Sequence, residues 1–436
     1  MKNFIETLKN IWKIEELRNR ILTTLGFLLI YRLGAFVALP GIDPQQLSAL
    51  ENQTADGLLG LLNMFTGGAF SQASIMALGI MPYISASIVI QLMTMAVPYL
   101  QKLQKDGESG RTKISQITRY LTVLITCFQA PGYIANLQAT LPPEAFLLSS
   151  GSFWFSSIII LVTGTMFAMW LGEKITDRGV GNGISILIMV GIIAVLPQSF
   201  VFEVGRVKPL IILVELVIMM VVILASVLLV QGVRRIPIQY AKRGATGQIA
   251  AARQYLPLKV NAAGVMPIIF AQAIMFIPIT FAGLSDSEGV QSFVAAFSDF
   301  SGFWYNFVFG LLIILFTYFY TAITVNTNQM ADDLKRNGGF VPGVKPGKDT
   351  AGFLDGIMSR IVLPGSVFLA FIAILPAFAM NAGVNQSFAQ FFGGTSLLIM
   401  VGVVLDTLQQ IEGYLLNRHY DGLMKSGRLS GGRSGM

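Results

Sequence analysis

Charge is what this sequence has least of. Only 12% of its 436 residues are Asp, Glu, Lys or Arg, roughly half the share of a soluble globular domain. Cysteine and histidine occur once each, as Cys127 and His419. A disulfide within the chain, a Cys/His metal centre and a Cys-His nucleophile pair are therefore excluded. The first twenty residues do not read as a cleavable signal peptide either. Lys2, Lys9, Lys13, Arg18 and Arg20 alternate with Glu6, Glu15 and Glu16 on an amphipathic stretch without a small-residue cleavage site, so residues 1–20 read as a cytosolic segment.

What the sequence has instead is long apolar runs. Hydrophobic residues make up 54%, and mean hydropathy is +0.66. Ten runs are largely uncharged and near the length that crosses hydrocarbon: Ile21 to Leu39, Ile75 to Val97, Ile117 to Ile134, Phe153 to Leu171, Ile184 to Leu196, Leu210 to Val230, Gly264 to Ala282, Trp304 to Val325, Ile357 to Ala379 and Thr395 to Ile411. The chain reads as an all-α multi-pass membrane protein. Ten spans leave both termini on one side, so Lys and Arg can be tallied between alternate loops. One side collects the N-terminal cations, Lys102 to Arg119, Lys174, Arg178, the run from Arg234 to Lys259, Lys335 to Arg360 and the tail. The other side has Arg206 and Lys208 among mostly acidic residues. Both termini are accordingly expected in the cytosol. The loop after span six carries Arg234, Arg235, Lys242, Arg243, Arg253 and Lys259 without an acidic residue. Such a field suits an anionic partner such as ribosomal RNA or an acidic protein surface, while also serving topology.

Motifs for chemistry are few. The loop Pro342-Gly-Val-Lys-Pro-Gly-Lys-Asp349 lacks the first glycine and the hydroxyl residue of a P-loop, and Gly179-Val-Gly181-Asn-Gly183 follows no strand; neither predicts a nucleotide site. No cofactor or metal is expected. Ionisable residues inside the spans are Arg32, Glu215 and Asp406, too few for a proton relay and better suited to structural roles. Glycine clusters around Gly57-Leu-Leu-Gly-Leu-Leu-Asn-Met-Phe-Thr-Gly-Gly-Ala-Phe70, a stretch too short to span and too apolar for open water. It reads either as a re-entrant half-helix sheltered by protein or as a helix lying on the outer surface.

Several segments resemble the SecY family, the central subunit of the bacterial protein-conducting channel. They are Leu39-Pro-Gly-Ile-Asp43, Asn63-Met-Phe-Thr-Gly-Gly68, Ala77-Leu-Gly-Ile-Met-Pro-Tyr-Ile-Ser-Ala-Ser87, Gly107-Glu-Ser-Gly-Arg111, Gly179-Val-Gly-Asn-Gly-Ile-Ser185, Tyr240-Ala-Lys-Arg243, Leu256-Pro-Leu-Lys-Val-Asn261, Phe340-Val-Pro-Gly343 and Phe392-Gly-Gly-Thr-Ser-Leu-Leu398.

The resemblance implies two inverted five-helix halves, residues 21–205 and 206–414, around an hourglass pore, followed by a cytosolic tail at 415–436. It places a narrow ring at Ile80, Ile84, Ile184, Ile188, Ile269 and Ile399. Pairs four residues apart share a helix face, and stiff β-branched side chains make an apolar collar that excludes water and ions. A plug is implied at residues 57–70, with Leu58, Leu59, Leu61, Leu62, Met64, Phe65, Gly67 and Gly68. Ser85, Ser87, Gln91 and Gln272 are the implied polar contacts of a lateral gate.

Docking is assigned by the same resemblance to loops 231–262 and 328–353, through Arg234, Arg235, Lys242, Arg243, Arg253, Lys259, Lys335, Arg336 and Lys345. The implied partners are SecE-like and SecG-like subunits, the SecA motor ATPase, the translating ribosome with its RNA, signal peptides and nascent membrane proteins, and the bilayer of the inner membrane. Two departures stand out. Lys345 replaces a common arginine, losing bidentate geometry, and Gly244-Ala-Thr-Gly-Gln248 replaces a second basic pair. The rival reading, a secondary transporter of a small solute, would share the span count but needs polar groups at mid-membrane.

Overall fold

The computed structural model describes residues 12, 14–47, 50, 57–240, 254–275 and 299–430. It is predominantly helical and divides into two compact units, Met1–Ser199 with Val403–Met436, and Phe200–Gly402.

The first unit opens with α1, Glu15–Gly34, whose first turn holds Glu15 and Glu16 and whose last turn holds Arg32, the polarity that suits a helix dipole. A short α2, Gly57–Phe65, follows, then turns up to Ile80 and α3, Met81–Ala96. Helix α4, Pro98–Lys105, bends away from α3 by 102°. Proline at its start forbids continuation of the previous helix, because the ring removes a donor and pushes the preceding residue out of the helical region. Helices α5, Gly107–Thr140, and α6, Ser150–Arg178, run the long way across. They are joined near one end by Arg119, which donates from Nε and Nη2 to the two carboxylate oxygens of Glu173 at 3.1 and 2.7 Å. Helix α7, Gly183–Arg206, begins in this unit.

The second unit holds the end of α7, α8 at Pro209–Gln231, α9 at Met266–Met275, α10 at Phe303–Thr324, α11 at Thr327–Arg336, α12 at Lys348–Asn381, the short α13 at Gln386–Ala389 and the start of α14, Gly394–Ser430. Between these helices lies a three-stranded antiparallel sheet in the order β2-β1-β3. Strand β1 is Val233–Tyr240, β2 is Gln254–Lys259 and β3 is Gly339–Phe340. Ile236 and Ile238 alternate inward from β1, and Ile236 packs with Leu258, Val341, Leu354, Met358 and Val362. The sequence showed only loops here.

Each of the ten apolar runs overlaps a helix among the described residues, the seventh only as far as Met275. Six of the helices among the described residues are long and apolar enough to cross a membrane by themselves, and the bent pair α3–α4 adds a seventh. Two boundaries move. Span one ends at Gly34 rather than Leu39, and span two begins at Met81 rather than Ile75. Residues 75–80 are apolar and buried, yet Gly79 has φ of +52°, which no helix tolerates, and Ile75 donates its N–H to Val37 instead.

Candidate channel lining, plug and docking surface

The plug candidate is a folded body rather than a loop. Helix α2 spans nine residues, about 14 Å at 1.5 Å per residue, less than half of a hydrocarbon core. It includes the backbone of Leu58, Leu59, Leu61 and Leu62, and ends with Met64 and Phe65 buried. Gly67 and Gly68 then take φ of +68° and +87°, values that glycine reaches without a Cβ penalty. Asn63 organises the reversal. Its carbonyl accepts from Gly68 N–H at 2.8 Å and from the Thr66 hydroxyl at 3.1 Å, while its Oδ1 accepts from Ser71 N–H at 3.0 Å.

The turns beyond this plug candidate are fixed to neighbouring helices of the same unit. Tyr133 of α5 donates its hydroxyl to the Phe70 carbonyl at 2.9 Å, and Leu39 donates its N–H to the Ala73 carbonyl at 2.8 Å. A core of Leu39, Ile42, Leu50, Phe70, Ile134 and Phe153 lies around them. Two further contacts meet the end of α2 itself. Arg32 of α1 donates from Nη1 to the Gly67 carbonyl, and its guanidinium lies 4.9 Å from the centre of the Phe36 ring. On the other flank, Gly191 of α7 comes so close that a Cβ there would stand 2.9 Å from the Phe65 carbonyl oxygen and 3.2 Å from Gly67 N. Gly191 and Asn63 were not singled out from the sequence. Arg32 was visible as the only cation within its span, but nothing local said what it holds.

Of the six ring isoleucines, Ile80, Ile84, Ile184 and Ile188 lie in the first unit, Ile269 and Ile399 in the second. Ile80, Ile188 and Ile399 are 2%, 3% and 1% exposed, and the other three are half-buried. None presents the open face that lipid contact gives. Ile84 donates its N–H to the Ile80 carbonyl at 3.1 Å, so this pair does share one helical turn.

The gate residues differ in how they are engaged. Ser85 returns its hydroxyl to the Met81 carbonyl at 3.2 Å, a bond within its own helix. Ser87 is half-buried. Gln91 Oε1 is buried with no hydrogen-bond partner among the described residues. Gln272 of α9 is 3% exposed and donates from Nε2 to the Tyr305 hydroxyl of α10 at 3.3 Å.

Docking cations cluster on the sheet and its neighbour α11. Arg234, Arg235 and Lys259 stand exposed on β1 and β2, Lys335 and Arg336 on the last turn of α11, and Lys345 on the following loop. Asn326 caps α11 by accepting from Gln329 N–H at 3.1 Å. Lys242, Arg243 and Arg253 fall outside the described residues.

A multi-pass helical bundle with a short helix folded back into one unit and a cationic sheet on the other has the fold of the protein-conducting channels. A chain solved as "the structure of a protein conducting channel" superposes with a TM-score of 0.57 at 17% identity, covering 90% of this chain and 91% of that one. The channel of a canine ribosome-channel complex from the endoplasmic reticulum gives 0.56 at 17% identity over 90% and 91%. In sequence, the SecY family model matches residues 74–408. The protein translocase subunit SecY of Escherichia coli strain K12 is 41% identical over 426 residues, 95% of this chain and 96% of its own length. That of Vibrio cholerae is 42% identical over 430 residues, 96% of each. The chain belongs to the SecY family.

Proposed function

We infer that this chain forms a channel through which unfolded secretory polypeptides cross the membrane and from which transmembrane segments leave sideways into lipid. The observation that carries this is the plug: an apolar helix too short to cross, held inside the unit that supplies four of the six ring isoleucines. An apolar ring excludes ions when closed and offers a translocating chain no binding group to stick to. The solute-carrier alternative needs charged or hydrogen-bonding groups where this chain has isoleucine, and the family to which it belongs is one of channels. That reading is set aside.

The chain has no catalytic role in this reading, and its partners supply the energy. The two inverted halves, 21–205 and 206–414, flank an hourglass pore, and both termini face the cytosol of a bacterial cell with the channel in its inner membrane. Ser85, Ser87, Gln91 and Gln272 line the lateral exit; Gln272 with Tyr305 is a neutral hydrogen bond of the modest strength that suits an interface meant to open. The sheet and α11 dock the ribosome and the SecA motor through Arg234, Arg235, Lys259, Lys335, Arg336 and Lys345, with Lys242, Arg243 and Arg253 contributing from the same loop. A ribosome-bound relative of the same fold supports that surface. SecE-like and SecG-like subunits complete the complex.

The test is photo-cross-linking from single positions to a secretory precursor arrested during export. Adducts are expected from Ile84, Ile188, Ile269 and Ile399 and not from Val217, which is 56% exposed on α8. Adducts from Val217 with none from the isoleucines would sink the reading.

A further inference from the structure

We propose that Arg32 is the positioning residue of the resting channel, the side chain that holds the plug helix shut. The proposal rests on the plug reading above and assigns the atoms that do the holding. Helix α2 directs its C-terminal carbonyls towards the turn at Gly67 and Gly68. That end carries the negative pole of the helix dipole, and a cation there is favoured. Arg32 brings a guanidinium to it, donates from Nη1 to the Gly67 carbonyl, and lies over the Phe36 ring, 4.9 Å from its centre, one turn further along the chain. Span one thereby grips the plug through a charge-assisted hydrogen bond, the strong kind.

The grip has an opposing jaw. Gly191 of α7 has no side chain, and its backbone lies against Phe65 and Gly67, where a Cβ would stand 2.9 Å from the Phe65 carbonyl oxygen. The end of the plug is thus held between a cation on one span and a bare backbone on another. The hydrogen bonds that Asn63 and Thr66 make among the described residues lie within the segment 62–71 itself. They shape the turn without tying it to a span. Tyr133 ties only Phe70, beyond the two glycines. If α2 swings outward about Gly67 and Gly68, the charge-assisted bond from Arg32 to the Gly67 carbonyl must break.

The experiment measures ion conductance of the assembled channel complex in a planar bilayer with no substrate present, comparing wild type, Arg32→Met, Arg32→Lys, Gly191→Ala and a deletion of Leu58 to Phe65. Arg32→Met keeps much of the side-chain length and loses the charge and the donors. Its resting conductance is expected to rise about ten- to a hundred-fold, the change in an opening equilibrium that loss of one such hydrogen bond produces. Arg32→Lys should fall between, since an ammonium keeps the charge and a donor but lacks the planar fork of the guanidinium. In cells, Arg32→Met should also increase export of a precursor with a defective signal peptide. A merely damaged channel would export less of every substrate.

Wild-type silence from Arg32→Met beside a leaking deletion overturns the latch and leaves the plug in place. A silent deletion overturns the plug reading and the latch with it. Where Arg32→Met does not assemble, Gly191→Ala decides, because it displaces the same helix end by a different atom: a leak supports the two-jawed grip, and silence removes it.

Discussion

Spans six and ten are both apolar helices of ordinary length, and they are used in opposite ways. The apolar stretch of α8 has a mean hydropathy of 3.1 and is 11% buried, whereas that of span ten has 1.9 and is 89% buried. The more hydrophobic helix is the more exposed one. In water this would be perverse, but lipid is the solvent here, and it selects apolar side chains on the outside without driving helices together. Helices inside the bundle associate by close packing, and span ten has the residues for it: Gly393, Gly394, Thr395, Ser396 and Gly402. Hydropathy therefore locates a span, while small and hydroxylated residues say how deep in the bundle it sits.

The comparison breaks first by truncation. Leu398 in span ten is 1% exposed and Leu213 in span six is 59% exposed. Leu398→Ala should cost about 2–5 kcal/mol, as buried leucines do when a cavity is left, and Leu213→Ala less than about 0.5 kcal/mol. Thermal unfolding of the purified complex in detergent reads both, and equal losses would end the distinction. A smaller effect is expected from overfilling. A Cβ at Gly402 would stand 2.7 Å from Cγ1 of Val265, so Gly402→Ala should destabilise by about 1–3 kcal/mol, seen as a lower unfolding midpoint. The smallest effect sharpens the picture of span six. Its buried stripe of Glu215, Val222 and Ser226 includes a carboxylate oxygen, Glu215 Oε2, without a hydrogen-bond partner among the described residues. Replacing such a group by an apolar one of similar size is neutral or mildly favourable. Glu215→Leu should leave the unfolding midpoint unchanged or raise it by up to about 1 kcal/mol of stability, and a clear fall would mean that Glu215 holds a partner subunit.

Much of the helical plan was readable because hydrocarbon thickness imposes a length on every span. The errors came where that rule stops applying. Residues 75–80 satisfy the hydropathy of a membrane helix and form turns, because Gly79 and the backbone bond from Ile75 to Val37 compete with helix there. The short helix ended by a glycine pair was foreseeable from sequence, but the contacts that hold it were not. Arg32 is 35 positions from Gly67, and Gly191 is further still. No periodicity reports such pairs. Likewise the loop at residues 381–390 is organised from a distance. Glu203 accepts from Asn385 N–H at 3.2 Å and from Arg206 at 3.4 Å, and Arg206 donates to the Gly383 carbonyl. The third strand of the sheet escaped notice for the same reason, since β1 meets β3 through Gln239 and Phe340, about 100 residues apart.

That sheet makes one handle out of two loops. Strand β1 pairs with β2 from its own loop and, through Gln239 and Tyr240, with β3 from the loop that precedes α12. Beneath it, Val341, Leu354 and Met358 seat the sheet on the foot of α12. A machine that pulls on either loop is therefore pulling on both, and the load passes down a 34-residue rod. Force applied to either loop is shared by the other and enters the same helix, with no need for a hinge of its own.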